Sequence, residues 1–204
     1  MVVALLTDCW AQDTNFFTLS PKLKALLAKN PPARTALSNA CATAFSGRSV
    51  GLYYFYCDNE SVERAYHFYP NTMNQPAVVI CVRENQYPWD ELFCLLFELS
   101  NSNAQQKFAE IYEQAKAGTM SREEFPKAVL RLEFEAIKGT RDLVRGLHLS
   151  RSEKRKSHYY KLFLDCPNDF DGFLSYTKKT SKDRDPVKDY LNQYDTLRKT
   201  VSGN

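Results

Sequence analysis

Between Trp89 and Asn101 the chain is apolar on almost every side of a helix. Leu92, Phe93, Cys94, Leu95, Leu96, Phe97 and Leu99 cover nearly the whole circumference, where a surface helix carries one stripe. A segment of this kind has to be enclosed, so the rest of the chain must supply layers on several sides of it. At 204 residues, with 44% apolar and 13% aromatic side chains, the chain has the material for one domain, or one domain with an appendage, and it is too aromatic for disorder. Glu98 and Asn101 interrupt the apolar surface. At 100° per residue they project about 60° apart, and Cys94 falls between them one turn earlier. The three side chains share one polar strip, open to two readings: a functional pocket, or simply the wet face of a core helix.

The flanking segments differ in texture. Ser20 and Pro21 open a helix with Leu23, Leu26 and Leu27 on one side, Asn30-Pro31-Pro32 breaks it, and a second piece runs to Phe45. Three strands are expected next, at 51–57, 63–69 and 77–83, the last a continuous apolar run suited to burial on both faces. Beyond the buried helix, Asn103 with Gln106 predicts a capping box for a helix ending at Gly118. Ser121 with Glu124 predicts another, opening a long helix to about His148, with Pro126 inside its first turns. Ser150 to Lys156 is charged, Tyr159 to Leu164 apolar, 165–169 a turn and 175–185 a polar, basic linker before a last helix over 186–199. The expected class is α+β: a small three- or four-stranded sheet, then a buried helix and long helices. Residues 1–148 would form the domain and 149–204 a basic, mainly helical extension packed on it or tethered to it.

Glu133 stands out on the long helix. On a helical wheel Val129, Leu130, Ala136 and Ile137 flank it within about 60°, and Thr140 and Val144 lie within about 20°. A carboxylate centred on a core-facing stripe needs a partner, whether a metal, an Arg, a helix N-terminus, a proton-sharing carboxyl or a Tyr hydroxyl.

Phe97-Glu98-Leu99-Ser100-Asn101 resembles the zincin metallopeptidase helix His-Glu-x-x-His with both zinc-binding histidines replaced, and Glu133-Phe134-Glu135-Ala136 resembles the third-ligand segment of zincins whose third ligand is Glu. The resemblance covers roughly residues 50–148. It implies a zincin-like fold, Glu98 in the general-base position and Glu133 in the third-ligand position. Phe97 cannot ligate and Asn101 is a poor substitute for imidazole, so no metal and no cofactor are expected. The function so implied is a degenerate, non-catalytic binding or interaction module, with bacterial conflict or host interaction as its suggested setting. One alternative is a hydrolase using Glu98 and Glu133 as a carboxylate pair, or non-standard metal ligation, with Asn101 and Cys94 in the same pocket. Another is a structural or regulatory protein with an accidental resemblance.

Composition narrows the partners. Residues 1–104 hold 7 Lys and Arg against 9 Asp and Glu, and residues 105–204 hold 20 against 15, so the halves carry −2 and +5. That asymmetry is too mild for a nucleic-acid footprint. The aromatic strands 53–56 and 66–69 lack the interleaved cations of a base-stacking face. Another protein is the expected partner. Arg151, Lys154, Arg155 and Lys156 form a short basic cluster, read either as a solvated helix end or as a face for an acidic partner or anionic lipid. The cysteines, Cys9, Cys41, Cys57, Cys81, Cys94 and Cys166, include no C-x-x-C pair and sit mostly in apolar contexts, as in a reduced cytosolic protein. His67, His148 and His158 do not pair at helical spacing. The segment 1–8 lacks a basic n-region and meets Asp8 early, so a cytoplasmic location is expected, with specialised export left open.

Overall fold

The structure, a computed structural model, describes residues 19–45, 52–57, 65–68, 78–83, 87–180 and 185–202, with side chains at 19–44, 87–180 and 185–200. Among these, α1 is Pro21–Lys29 and α2 is Pro31–Phe45. Three strands follow, β1 Leu52–Cys57, β2 Ala65–Phe68 and β3 Val78–Arg83. Then come α3 Pro88–Asn103, α4 Gln105–Ala117, α5 Glu124–Arg145, α6 Arg151–Lys156, α7 His158–Asp165, α8 Phe170–Thr180 and α9 Pro186–Ser202. The strands pair by backbone in the order β1-β3-β2, with β1 parallel to β3 (Leu52 opposite Val78) and β2 antiparallel to it (Ala65 opposite Val82).

The α+β expectation is corrected. Of the residues whose side chains are described, 84% are helical and none lies in a strand, so this body is all-helical. The zincin-like architecture expected with that class is corrected with it. The physical reason lies in how α3 is enclosed. Leu92, Phe93, Leu95, Leu96 and Leu99 are fully buried, in one cluster with Leu23 and Leu27 of α1, Leu37 and Cys41 of α2, Val144 of α5 and Phe163 of α7. Amphipathic stripes from four helices thus supply the side-chain contacts of α3, and the backbones of β2 and β3 also lie against it. Each such Leu or Phe contributes roughly 1.5–3 kcal/mol on burial.

The second organising helix is α5, whose stripe runs through three clusters. Val144 joins the first, and Leu130 and Phe134 meet Cys166 and Phe173 in the second. Phe125 and Val129 meet Ala115 of α4 in the third, where Tyr190, Tyr194 and Leu197 of α9 pack on them. The helices of 149–204 are therefore packed on α5 and its neighbours.

Helix ends follow their local chemistry in most places. The Ser20 hydroxyl accepts from Leu23 N at 2.9 Å, as an N-cap should. Ser121 N donates to Glu124 Oε2 at 3.0 Å and Glu124 N to Ser121 Oγ at 3.2 Å, the reciprocal pair expected there. The box expected from Asn103 and Gln106 does not form. Asn103 is the last residue of α3, and Ala104 separates it from α4 with no side-chain cap. The linker expected over 175–185 is also corrected, since α8 continues to Thr180. Its hydroxyls are absorbed by the helix: Ser175 Oγ donates to Asp171 O and Thr180 Oγ1 to Tyr176 O, both four residues back. No helix among the described residues is long and apolar enough to cross a membrane.

Candidate functional site

Three consecutive residues at the start of α3 each hold a different segment. Trp89 Nε1 donates to Glu153 Oε1 of α6 at 2.9 Å. Asp90 accepts from the Ser157 hydroxyl, from His158 N at 3.2 Å and from Tyr159 N at 3.2 Å, so a carboxylate meets the positive end of α7. Glu91 Oε2 accepts from the Ser20 hydroxyl at 2.6 Å, tying α3 to the start of α1. Asp90 and Glu91 also lie in the first turn of α3, where negative charge suits its own dipole. Both are buried, and both are hydrogen-bonded. The Ser150 hydroxyl and backbone hold the Glu153 carboxyl below the ordinary carboxylate range, and Trp89 adds to this. Burial first, then Glu153 and Asp90, push the Tyr87 phenol up.

The strip of Cys94, Glu98 and Asn101 lies further along α3. The exposures are 2%, 5% and 3%, so it is enclosed and is no wet helix face. Asn101 Oδ1 has no hydrogen-bond partner among the described residues. Glu133 lies elsewhere in its contacts: it is half-buried and accepts from the Tyr190 hydroxyl of α9. Tyr112 of α4 is close enough to feel it. Burial raises the Tyr112 phenol most, its bond to Gln193 opposes this, and the Glu133 charge raises it further. Among the described residues no three of His, Cys, Asp and Glu gather where they could hold a metal ion. Glu98, Glu133 and Cys94 therefore do not converge as a ligand set.

Arg141 was not singled out by sequence. It is 2% exposed on α5, donates to Asn168 Oδ1 and to Pro167 O at 3.2 Å, and its Nε is unpaired among the described residues. Burial raises the neighbouring Cys166 thiol, and the Arg141 charge and hydrogen bond pull it back. The signal was available, because Arg141 falls about 80° from Glu133 on the wheel, at the edge of the apolar stripe. Arg is so often a surface residue that the position reads as solvated.

Of the histidines, His148 and His158 are exposed, while the side chain of His67 lies outside the described residues. The side chains of strand residues 53–56 and 66–68, of Cys57 and of Cys81 are likewise outside those described, as are Tyr69, Cys9 and the segment 1–8 altogether. Cys41, Cys94 and Cys166 are buried. An open groove of ≈ 530 Å³ runs between α2 and the end of α5, lined by Pro31, Pro32, Ala36, Leu143 and Leu147, with Asp142 at its edge. Asp142 is exposed and pairs with Arg145 at 3.6 Å.

No family model matches this chain, and neither the curated proteins nor the solved structures hold a match to it.

Proposed function

We propose that this protein is a non-catalytic binding module built of helices. The observation that carries the reading is the use made of its inward-facing acids. Asp90, Glu91 and Glu153 link α3 to α7, to the start of α1 and to α6. Glu133 holds α9 through Tyr190. A general acid or base has to reach a substrate proton directly or through one water. Carboxylates engaged by internal donors serve the packing of helices instead. Glu98 is enclosed as well, with 5% of its surface exposed.

The test is to incubate the purified protein with peptide and ester substrate pools, with and without divalent metal, beside Glu98→Gln. The expected result is no turnover above buffer for either protein, together with a saturable complex with its partner that Glu98→Gln leaves intact. Turnover by the native chain that disappears in Glu98→Gln would replace this reading with the hydrolase one.

A further inference from the structure

The helix α6 presents a run of exposed cations. Across 146–161 the chain places five Lys and Arg against one acid, Glu153. That acid faces inward, occupied by Ser150 N at 2.7 Å and Trp89. The capping box built by Ser150 and Glu153 fixes the helix on the body, so the cations have a set direction. Arg151, Lys154, Arg155 and Lys156 are all exposed. Arg151, Lys154 and Arg155 fall within an arc of about 100° at i, i+3 and i+4, one face of the helix. No ion pair engages these three among the described residues, although exposed pairs form elsewhere, as at Arg122–Asp195, 2.7 Å.

We infer that this face of α6 is a docking surface for a carboxylate-rich protein segment, a proposal that rests on the binding-module reading. Three features choose this partner over other anions. The same-face cations are spaced about 5–6 Å apart, which matches Asp and Glu at i, i+3 and i+4 on an acidic helix. Two of the three are Arg, whose planar fork takes carboxylates bidentately. The helix is short, with the three cations spanning about 6 Å along its axis. Neutralising a series of nucleic-acid phosphates needs a longer stripe. A membrane surface is disfavoured because Arg151–Lys156 carries no apolar side chain to insert beside its charges.

The experiment is a fluorescence-anisotropy titration of the full chain with a labelled oligoglutamate peptide. Parallel arms use phosphatidylcholine vesicles containing phosphatidylserine and a short DNA duplex. Saturable binding of the peptide, weakening with added salt, is expected. Arg151→Glu with Arg155→Glu should weaken it by roughly tenfold or more. The milder Arg151→Gln with Arg155→Gln guards against an effect on folding and should weaken it in the same direction. Lys107→Glu with Lys188→Glu, which places the same charge change on exposed positions elsewhere, should leave it within about twofold. Equal loss in this control pair, no loss in the α6 variants, or tighter binding to vesicles or duplex than to peptide overturns the assignment. Those outcomes leave the turnover assay with Glu98→Gln untouched, so failure of the surface and failure of the binding reading are separable.

Discussion

Asp90 and Arg141 show two ways in which a charged side chain lives inside this protein. Asp90 receives three donors, two of them backbone N–H groups that open α7. Removing the acceptor leaves buried donors unmet, at about 1–3 kcal/mol for each group that water cannot reach. Asp90→Ala is expected to lower stability by about 3 kcal/mol in urea unfolding, and Asp90→Asn by less, because the amide keeps one oxygen. Arg141 is different, since its partners are the neutral oxygens of Asn168 and Pro167 and the Cys166 thiol. The cation gains hydrogen bonds there, with no ion pair among the described residues. Arg141→Met keeps much of the volume and removes the desolvated charge, so a loss of about 1–2 kcal/mol is expected. Arg141→Lys keeps the charge and loses the fork, and is expected to cost about 3 kcal/mol. If unfolding midpoints rank Met below Lys, the guanidinium is carrying more than hydrogen bonds.

The helices are joined at their ends as much as along their faces. Gly118 closes α4 with φ of 76°, and a Cβ there would lie 2.8 Å from Arg198 Nη1, which donates to Lys116 O. Gly118→Ala strains the backbone and displaces the α9 contact together, so about 1–2 kcal/mol of destabilisation is expected by thermal unfolding. The Glu153 cap of α6 has a pH signature. Its folded-state pKa is depressed by Ser150 and Trp89, so the stability it contributes is full above the unfolded carboxylate range and fades as pH falls through the lower, folded value. Glu124 and Asp195 are depressed in the same direction, by Ser121 and by Arg122. The expected profile is level near neutrality and declines below about pH 4–5. In Glu153→Gln the decline should be shallower, and an unchanged acid limb would show that the cap contributes nothing. These ends were partly readable beforehand. Ser20 and the pair Ser121 and Glu124 behaved as their local motifs imply, because an N-cap is satisfied within four residues. Asn103 did not, because α3 ran on through it, and whether a helix stops is decided by what its last turn packs against.

Taken together, α3 is the hub and α5 the spine. Leu96 is fully buried at the centre of the first cluster, and Leu96→Ala is expected to cost about 2–5 kcal/mol in chemical denaturation. A much smaller loss would mean that the surrounding helices collapse into the vacated space. The all-round apolar character of α3 was legible in the chain itself, because period and burial are local properties of residues 89–101. So were the Ser20 cap, the Ser121–Glu124 bonds just ahead of α5 and the basic run at 151–156. The three strands lie where their runs place them, but the fold class was misjudged, because strand-like runs report local backbone preference and that preference does not say which elements supply the side-chain core. The carboxylates show the same division. Sequence identified Glu133 as an acid on an apolar stripe that had to find a partner. Only the packing of α9 across α5 determined that the partner is the Tyr190 hydroxyl, since residues 57 positions apart meet through tertiary contacts that no local pattern encodes.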